Sequence, residues 1–208
     1  MTLATEKNDV ISLTDALKIN SPADLLHHLF GDISSMELPV PIEKIITRIE
    51  KTSIQSGFDV NDLFSSGYIR VIRKDDDSVD MIHLWANPTE APSRQRFTLA
   101  HELGHLFYDV LPNISSKNTN DFIVDDNLKR GGIKSYKETK ADRFAAQLLM
   151  PPQLIRREID ILVTTLKSEG KKMPIESIIK LLSNKFYVSE KAMKIRLETL
   201  GYIKKQDS

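Results

Sequence analysis

The run His101-Glu102-Leu103-Gly104-His105 restricts the fold of this chain more than any other part of the sequence. Residues four apart lie on the same face of an α-helix, so a helix here places the two imidazoles side by side. Two such imidazoles can bind one metal ion, and Glu102 between them can then act as a base on a water molecule at that ion. The alternative is a solvated helix face that carries two histidines by chance.

The flanking sequence predicts that this helix is buried. Pro92 suits a first helical turn, and the helix should end before Pro112. A glycine at position 104 lowers the stability of the helix by about 1 kcal/mol relative to alanine. Its presence despite this cost indicates that another element packs closely beside the histidines. Apolar residues recur at spacings of three and four: Phe97, Ala100, Leu103, Phe107 and Val110.

A second helix downstream offers a third metal ligand. Glu138 and Asp142 are four residues apart in a segment with a strong apolar face, and Pro151-Pro152 ends that segment. We predict that Glu138 binds the metal. Asp142 would accept the free N–H of a ligating histidine, which fixes the tautomer of the ring. The alternative is a solvated acidic pair. A metzincin site is excluded, because it needs Gly at position 108 and His at position 111.

The chain resembles the ImmA/IrrE family of metallo-endopeptidases in two long blocks, Phe97–Phe107 and Glu138–Pro151. Trp85-Ala86-Asn87-Pro88 and Arg94-Gln95-Arg96 also match what that family shows before its metal helix. The resemblance extends from about Leu38 to Pro152, and more loosely into the helices that follow. It implies a regulatory protease that cleaves a helix-turn-helix transcriptional repressor encoded nearby. Cleavage would then release repressed genes of a phage, a mobile element or a stress response.

The expected chemistry is hydrolysis of a peptide bond. His101, His105 and Glu138 would hold one ion per chain, by default Zn²⁺, although Mn²⁺ or Fe²⁺ can occupy such sites. Glu102 would accept a proton from water and pass it to the leaving nitrogen. A second hydrogen-bond donor for the oxyanion should exist. Tyr136 and Tyr108 are the candidates.

The predicted fold is α+β, with a zincin-like metallopeptidase core of metal-site helices packed on a small antiparallel sheet. Tyr68–Arg73 and Val79–Trp85 alternate as two strands around a turn at Lys74–Ser78. Met81–Trp85 would border the site and pair with extended substrate. His83 on that strand would face the cleft, where it stabilises the oxyanion charge or contacts substrate, or it would be a structural or surface histidine.

Three segments are expected along the chain: an N-terminal helical extension (1–35), the metallopeptidase domain (36–152) and a helical subdomain (153–208). In the first, helices are predicted over Leu13–Ile19 and from Ser21 or Pro22 to Phe30. His27 and His28 there do not share a helix face, so surface positions are expected. The polar stretch from Asn113 to Ser135 indicates a loop, either a lid or an insertion.

The C-terminal helices have a helix-turn-helix outline, with Ser189 as the N-cap of the last helix. Residues 151–208 hold 12 Lys and Arg against 7 Asp and Glu. Lys191, Lys194 and Arg196 could reach phosphates, or the helices could simply support the catalytic unit. One alternative function is a DNA-binding or partner-binding regulator that uses the zincin-like unit as a sensor without proteolysis. Another is a toxin–antitoxin or phage-defence component that acts by stable protein binding.

The amino-acid composition restricts the type of metal site and the cellular location that we expect. The chain has no cysteine, which excludes disulfides and thiolate zinc sites and favours a site of histidines and carboxylates. Its longest apolar runs are too short for a membrane span, and Met1–Asp9 lacks the apolar core of a signal peptide. A cytoplasmic location is therefore expected.

Overall fold

The computed structural model of the chain describes residues 10–57, 64–115 and 135–204, and the backbone of Phe122–Val124. The loop predicted from Asn113 to Ser135, interpreted as either a lid or an insertion, lies mostly outside the described residues.

A mixed sheet of four strands is present in the described part of the chain. The strands are β1 (Thr52–Ile54), β2 (Gly67–Arg73), β3 (Val79–Ala86) and β4 (Phe122–Val124), in the order β1-β3-β2-β4. β2 and β3 form the predicted antiparallel hairpin, and β4 pairs antiparallel with β2. β1 runs parallel to β3, so the sheet is not wholly antiparallel.

The prediction that Met81–Trp85 pairs with extended substrate is wrong for the described sheet. β3 is an interior strand: His83 is opposite Ser53 of β1 on one side and Arg70 of β2 on the other. Its backbone hydrogen-bonding positions are therefore used within the fold. The strand that closes its outer side, β1, has only three residues, too few for an alternating pattern to appear in the sequence.

Short helices precede the sheet. They are α1 (Leu13–Ala16), α2 (Pro22–Phe30) and α3 (Ile42–Thr47). Ser21 caps α2 by accepting a hydrogen bond from the backbone N–H of Asp24, and Gly31 ends the helix with φ of 74°. The predicted bounds of α2 are confirmed, whereas α1 is shorter than predicted.

The helix α4 (Pro92–His105) lies between the sheet and the helix α5 (Tyr136–Leu149). A π-helical turn (Leu106–Val110) and a 3₁₀ turn (Leu111–Asn113) extend α4. Pro112 has no N–H to donate, which explains why the regular helix does not continue through this region. Ser135 caps α5 at the backbone N–H of Glu138. This cap fixes the first turn of α5, which contains Glu138, the predicted third ligand.

The C-terminal helices are α6 (Pro152–Ser168), α7 (Ile175–Phe186) and α8 (Glu190–Thr199). Ser189 caps α8 as predicted, and Gly201 follows it with φ of 78°. Among the residues that the structure describes, no helix is both long and apolar enough to cross a membrane.

Arg196 corrects the prediction that α8 offers three cations to phosphates. Its side chain is buried, and its Nε donates a hydrogen bond to the carbonyl oxygen of Met150, 3.0 Å away. Met193 and Leu197 on the same face of α8 are also buried, in the same apolar core as Leu103 of α4. This helix therefore packs inward and supports the end of α5.

Candidate metal centre

The helical spacing of His101 and His105 brings their Nε2 atoms together. These atoms are 3.1 Å apart, and each side chain is only 2% exposed. Burial of two imidazoles on one helix face is costly unless each polar atom has a partner. The arrangement therefore excludes the solvated helix face that was the alternative interpretation.

Glu138 approaches both histidines from α5. Its Oε2 lies 3.1 Å from His101 Nε2, and its Oε1 lies 3.4 Å from His105 Nε2. Gly104 allows this approach, because a Cβ at that position would lie 3.0 Å from the Cα of Ala141 in α5. The close helix packing expected from Gly104 is confirmed.

The three side chains fit a metal ion. Ligand atoms of His101, His105 and Glu138 lie within 4.8 Å of one another. With metal–ligand bonds near 2.0 Å, neighbouring ligands of a tetrahedral site are about 3.3 Å apart, close to the separations of the three groups. Two neutral imidazoles and one carboxylate form a donor set that suits zinc and leaves the fourth coordination position to water.

Carboxylates also lie behind both histidines. His101 Nδ1 donates to Asp142 Oδ1 at 3.0 Å, which places the predicted Asp142 next to its histidine. His105 Nδ1 donates to Asp109 Oδ2 at 2.8 Å. Asp109 was missed by the sequence reasoning, although its position four residues after His105 was a usable signal.

The carboxylates strongly favour positive charge at the two rings. Burial lowers the pKa of His101, but Asp142, Glu138 and Glu102 outweigh it and raise the pKa to about 10. For His105, burial is outweighed in the same way by Asp109 and Glu138, and the pKa rises to about 9. Hydrogen bonds from His101 and His105 hold the pKa of Glu138 far below its usual value. A site of this kind attracts a cation, whether protons or a metal ion.

Glu102 is fully buried, on α4 between the two histidines in sequence. The start of β2 lies against it, since a Cβ on Gly67 would be 3.2 Å from Glu102 Oε1 and 2.2 Å from Thr98 Cγ2. The sheet therefore approaches this carboxylate closely, and only a residue without a side chain fits at position 67.

Comparison with protein families gives a match to the Peptidase_M78 model, described as the IrrE N-terminal-like domain, over residues 64–198. The chain belongs to this family. The resemblance drawn from the two sequence blocks is thereby confirmed, and the IrrE N-terminal-like domain is a metal-dependent peptidase with a protein substrate. The match includes both helices of the metal centre and continues into α8. A comparison with curated proteins returned no match.

Tyr108 and Tyr136 are the candidates of this IrrE N-terminal-like domain for a hydrogen bond to the oxyanion. Tyr108 packs edge-on against Phe144 with Lys140 Nζ 3.8 Å from the centre of its ring, and burial raises its pKa. Tyr136 is the first residue of α5 and is 82% exposed. Within the described residues, neither tyrosine forms a hydrogen bond with His101, His105 or Glu138.

His83 lies on the side of the sheet that faces away from α4. A Cβ on Gly67 would point at Thr98 of α4, and the strand pairing puts Leu84 and Ala86 on the same side of the sheet as Gly67. His83 directly precedes Leu84 and therefore points to the other side. Its Nδ1 is 2.7 Å from Ser53 Oγ. This placement favours the structural alternative for His83.

Proposed function

We propose that this chain is a zinc-dependent endopeptidase that hydrolyses one peptide bond in a specific protein, a helix-turn-helix transcriptional repressor. Cleavage would derepress genes of a phage, a mobile element or a stress response. The observation that carries the proposal is the convergence of His101, His105 and Glu138 from two packed helices, with Glu102 buried beside them. A cytoplasmic location is part of the proposal, and the absence of cysteine supports it.

His101, His105 and Glu138 would hold the ion. A bound zinc ion supplies a Lewis acid that acidifies water and polarises a carbonyl group. Glu102 accepts the proton of the attacking water and delivers it to the nitrogen of the leaving amine. Asp142 and Asp109 keep the histidine Nδ1 atoms occupied, so that the Nε2 atoms face Glu138.

Tyr136 and Tyr108 stay our candidates for a hydrogen-bond donor to the oxyanion. Removal of one such donor costs about 10²–10³-fold in kcat in well-studied hydrolases. Comparing Tyr108→Phe with Tyr136→Phe tests this role, because phenylalanine keeps the ring and removes only the hydroxyl group.

The decisive test of the proposed function is the substitution Glu102→Gln. The amide keeps the size of the side chain but cannot accept a proton, so the variant should bind zinc as the wild type does and lose cleavage. The purified chain is incubated with the repressor encoded beside it, with and without chelator, and fragments are identified by mass. Cleavage that persists in the Glu102→Gln variant, after contaminating proteases are excluded, would contradict the proposal.

The same experiment distinguishes the proposed peptidase from a regulator that acts without proteolysis. That alternative expects an intact repressor together with salt-dependent DNA binding or a stable complex that chelator does not alter. The burial of Arg196 and of the inner face of α8 supports the peptidase proposal, because one of the three cations considered for phosphate contacts is used inside the protein.

A further inference from the structure

The hydrogen bond between His105 and Asp109 extends the metal centre toward the protein surface. Asp109 Oδ2 accepts the Nδ1–H of His105 at 2.8 Å, while Asp109 Oδ1 lies 3.1 Å from the ammonium group of Lys137. The side chain of Asp109 is 10% exposed, whereas that of Lys137 is 70% exposed. The carboxylate therefore links a buried ligand to a surface cation.

The backbone around Asp109 is held in an unusual conformation. Asp109 lies in the π-helical turn Leu106–Val110, and the side chain of Asn113 donates a hydrogen bond to its carbonyl oxygen at 2.9 Å. π-Helical turns are rare and occur often at functional sites. Asp109 is thus fixed on both its backbone and its side chain, rather than placed at a frayed helix end.

Lys137 directly precedes the ligand Glu138 in the first turn of α5. Its contact with Asp109 joins that turn to the π-helical extension of α4. His105 is the last residue of α4, directly before this extension. The chain Lys137–Asp109–His105 consequently connects the two helices beside the metal centre. His101 is supported differently, because its carboxylate partner Asp142 belongs to α5 itself.

We propose that Asp109 is a positioning residue for the metal ligand His105, and that Lys137 holds the Asp109 carboxylate in place. Asp109 keeps the proton of His105 on Nδ1 and keeps Nε2 directed at Glu138. Loss of the carboxylate would leave a buried N–H without an acceptor and would free the ring to rotate. The proposal rests on the proposed function, since it concerns binding of the metal at that site.

Zinc affinity tests the proposal without any measurement of peptidase activity. Asp109→Ala should weaken zinc binding by about 10- to 100-fold, the usual effect of removing a hydrogen-bond partner of a metal ligand. Asp109→Asn keeps an acceptor oxygen and should lose less affinity. Lys137→Met leaves the bond to His105 in place and should lose the least of the three. Competition with a chromophoric chelator measures each affinity.

Asp160→Ala is the matched control, because it removes a largely exposed carboxylate of α6 whose partner, Arg156, is also exposed. Zinc affinity of Asp109→Ala within about twofold of this control would overturn the proposal for Asp109, since a positioning carboxylate is worth at least about tenfold. A wild-type chain that binds no zinc would instead overturn the proposed function. The two failures are therefore distinguishable.

A spectroscopic measurement on the wild-type chain covers the case in which Asp109→Ala does not fold. In the zinc-loaded protein, nitrogen–proton NMR of the histidine rings should show slowly exchanging Nδ1–H signals for both His101 and His105. Asp109→Asn should weaken the Nδ1–H signal of His105 and not that of His101, because an amide oxygen is a weaker acceptor than a carboxylate and the proton then exchanges faster with water. Protonation of His105 at Nε2, or a ring signal that Asp109→Asn does not change, would overturn the proposal.

Discussion

Gly67 lies next to Glu102, although it belongs to β2 and not to the metal-site helices. A Cβ at this position would lie 2.2 Å from Thr98 Cγ2 and 2.7 Å from the carbonyl oxygen of Trp85. Gly67→Ala must therefore displace Thr98 or Glu102. We expect a loss of about 1–3 kcal/mol in the free energy of unfolding and up to about 10²-fold lower cleavage, with zinc binding retained.

Gly170→Ala is the control for that prediction. Gly170 follows α6 with φ of 63°, and no atom lies within 4 Å of the place that a methyl group there would take, so alanine costs backbone strain without a steric clash. Unfolding by denaturant, zinc affinity and cleavage rate are compared for the two variants. Equal cleavage by both would contradict the role assigned to Gly67.

Residue spacing along a helix accounts for what the sequence could predict of the site. His101 and His105, and then Glu138 and Asp142, are each four residues apart, and such pairs share a helix face whatever the rest of the fold does. The contact of Gly67 with Glu102 joins positions 35 residues apart through the sheet, so no local pattern contains it. Asp109 had the required spacing, but its role depends on the π-helical turn, which no simple periodicity predicts.

The packing of α4 on α5 determines whether His101, His105 and Glu138 can meet. A side chain at Gly104 would contact the Cα and carbonyl oxygen of Ala141 at 3.0 and 3.2 Å, and both atoms belong to the backbone of a buried helix. Gly104→Val should push the helices apart and carry Glu138 away from the histidines. Zinc affinity should then fall along with stability, by about 1–3 kcal/mol for the overpacking alone.

Ala23→Val on the exposed face of α2 is the control, because it also introduces a β-branched valine into a helix but at a solvent-exposed position. Isothermal titration with zinc and thermal unfolding distinguish the variants. Zinc affinity of Gly104→Val equal to that of Ala23→Val would show that the helix separation does not control the site.

The elements were predicted where the signal is local. Capping signals predicted the bounds of α2 and the start of α8, an apolar face followed by two prolines predicted α5, and alternation predicted the β2–β3 hairpin. Strand order was not accessible in this way. β1 and β4 have three residues each, and their pairing with distant strands depends on tertiary packing, so the edge of the sheet was assigned to the wrong strand.

The three proposed segments share one apolar core. Leu25 from the N-terminal helices, Leu148 from α5 and Leu182 from α7 belong to the same buried cluster. The division at residues 35 and 152 stays a proposal, and the shared core leads us to expect a single cooperative unfolding transition. Denaturant unfolding followed by both circular dichroism and Trp85 fluorescence measures it, and two separated transitions would contradict this expectation.

Glu158 connects all three segments and gives a prediction for the pH dependence of stability. Its side chain, 6% exposed, accepts hydrogen bonds from Lys185 of α7 and from Arg157, whose guanidinium also donates to the carbonyl oxygens of Ser34 and Met36. Burial raises the pKa of Glu158, but Lys185 and Arg157 outweigh it and hold the pKa below its usual value. A lowered pKa in the folded state means that the ionised carboxylate stabilises the fold above the unfolded-state pKa, about 4.3. That contribution is lost as the pH falls through the folded-state pKa.

Glu158→Gln should therefore lower the free energy of unfolding by about 1.5–3 kcal/mol at pH 7, the usual contribution of hydrogen bonds to a charged group. The difference from the wild type should shrink once the pH falls below about 4.3, because the wild-type carboxyl group then becomes neutral too. Glu169→Gln is the control, since Glu169 pairs with Lys171 in an exposed position and should change stability little at any pH. Urea unfolding from about pH 3 to about pH 7 measures both differences. A Glu158→Gln difference that stays constant over this range would show that the charge of Glu158 does not hold the three segments together.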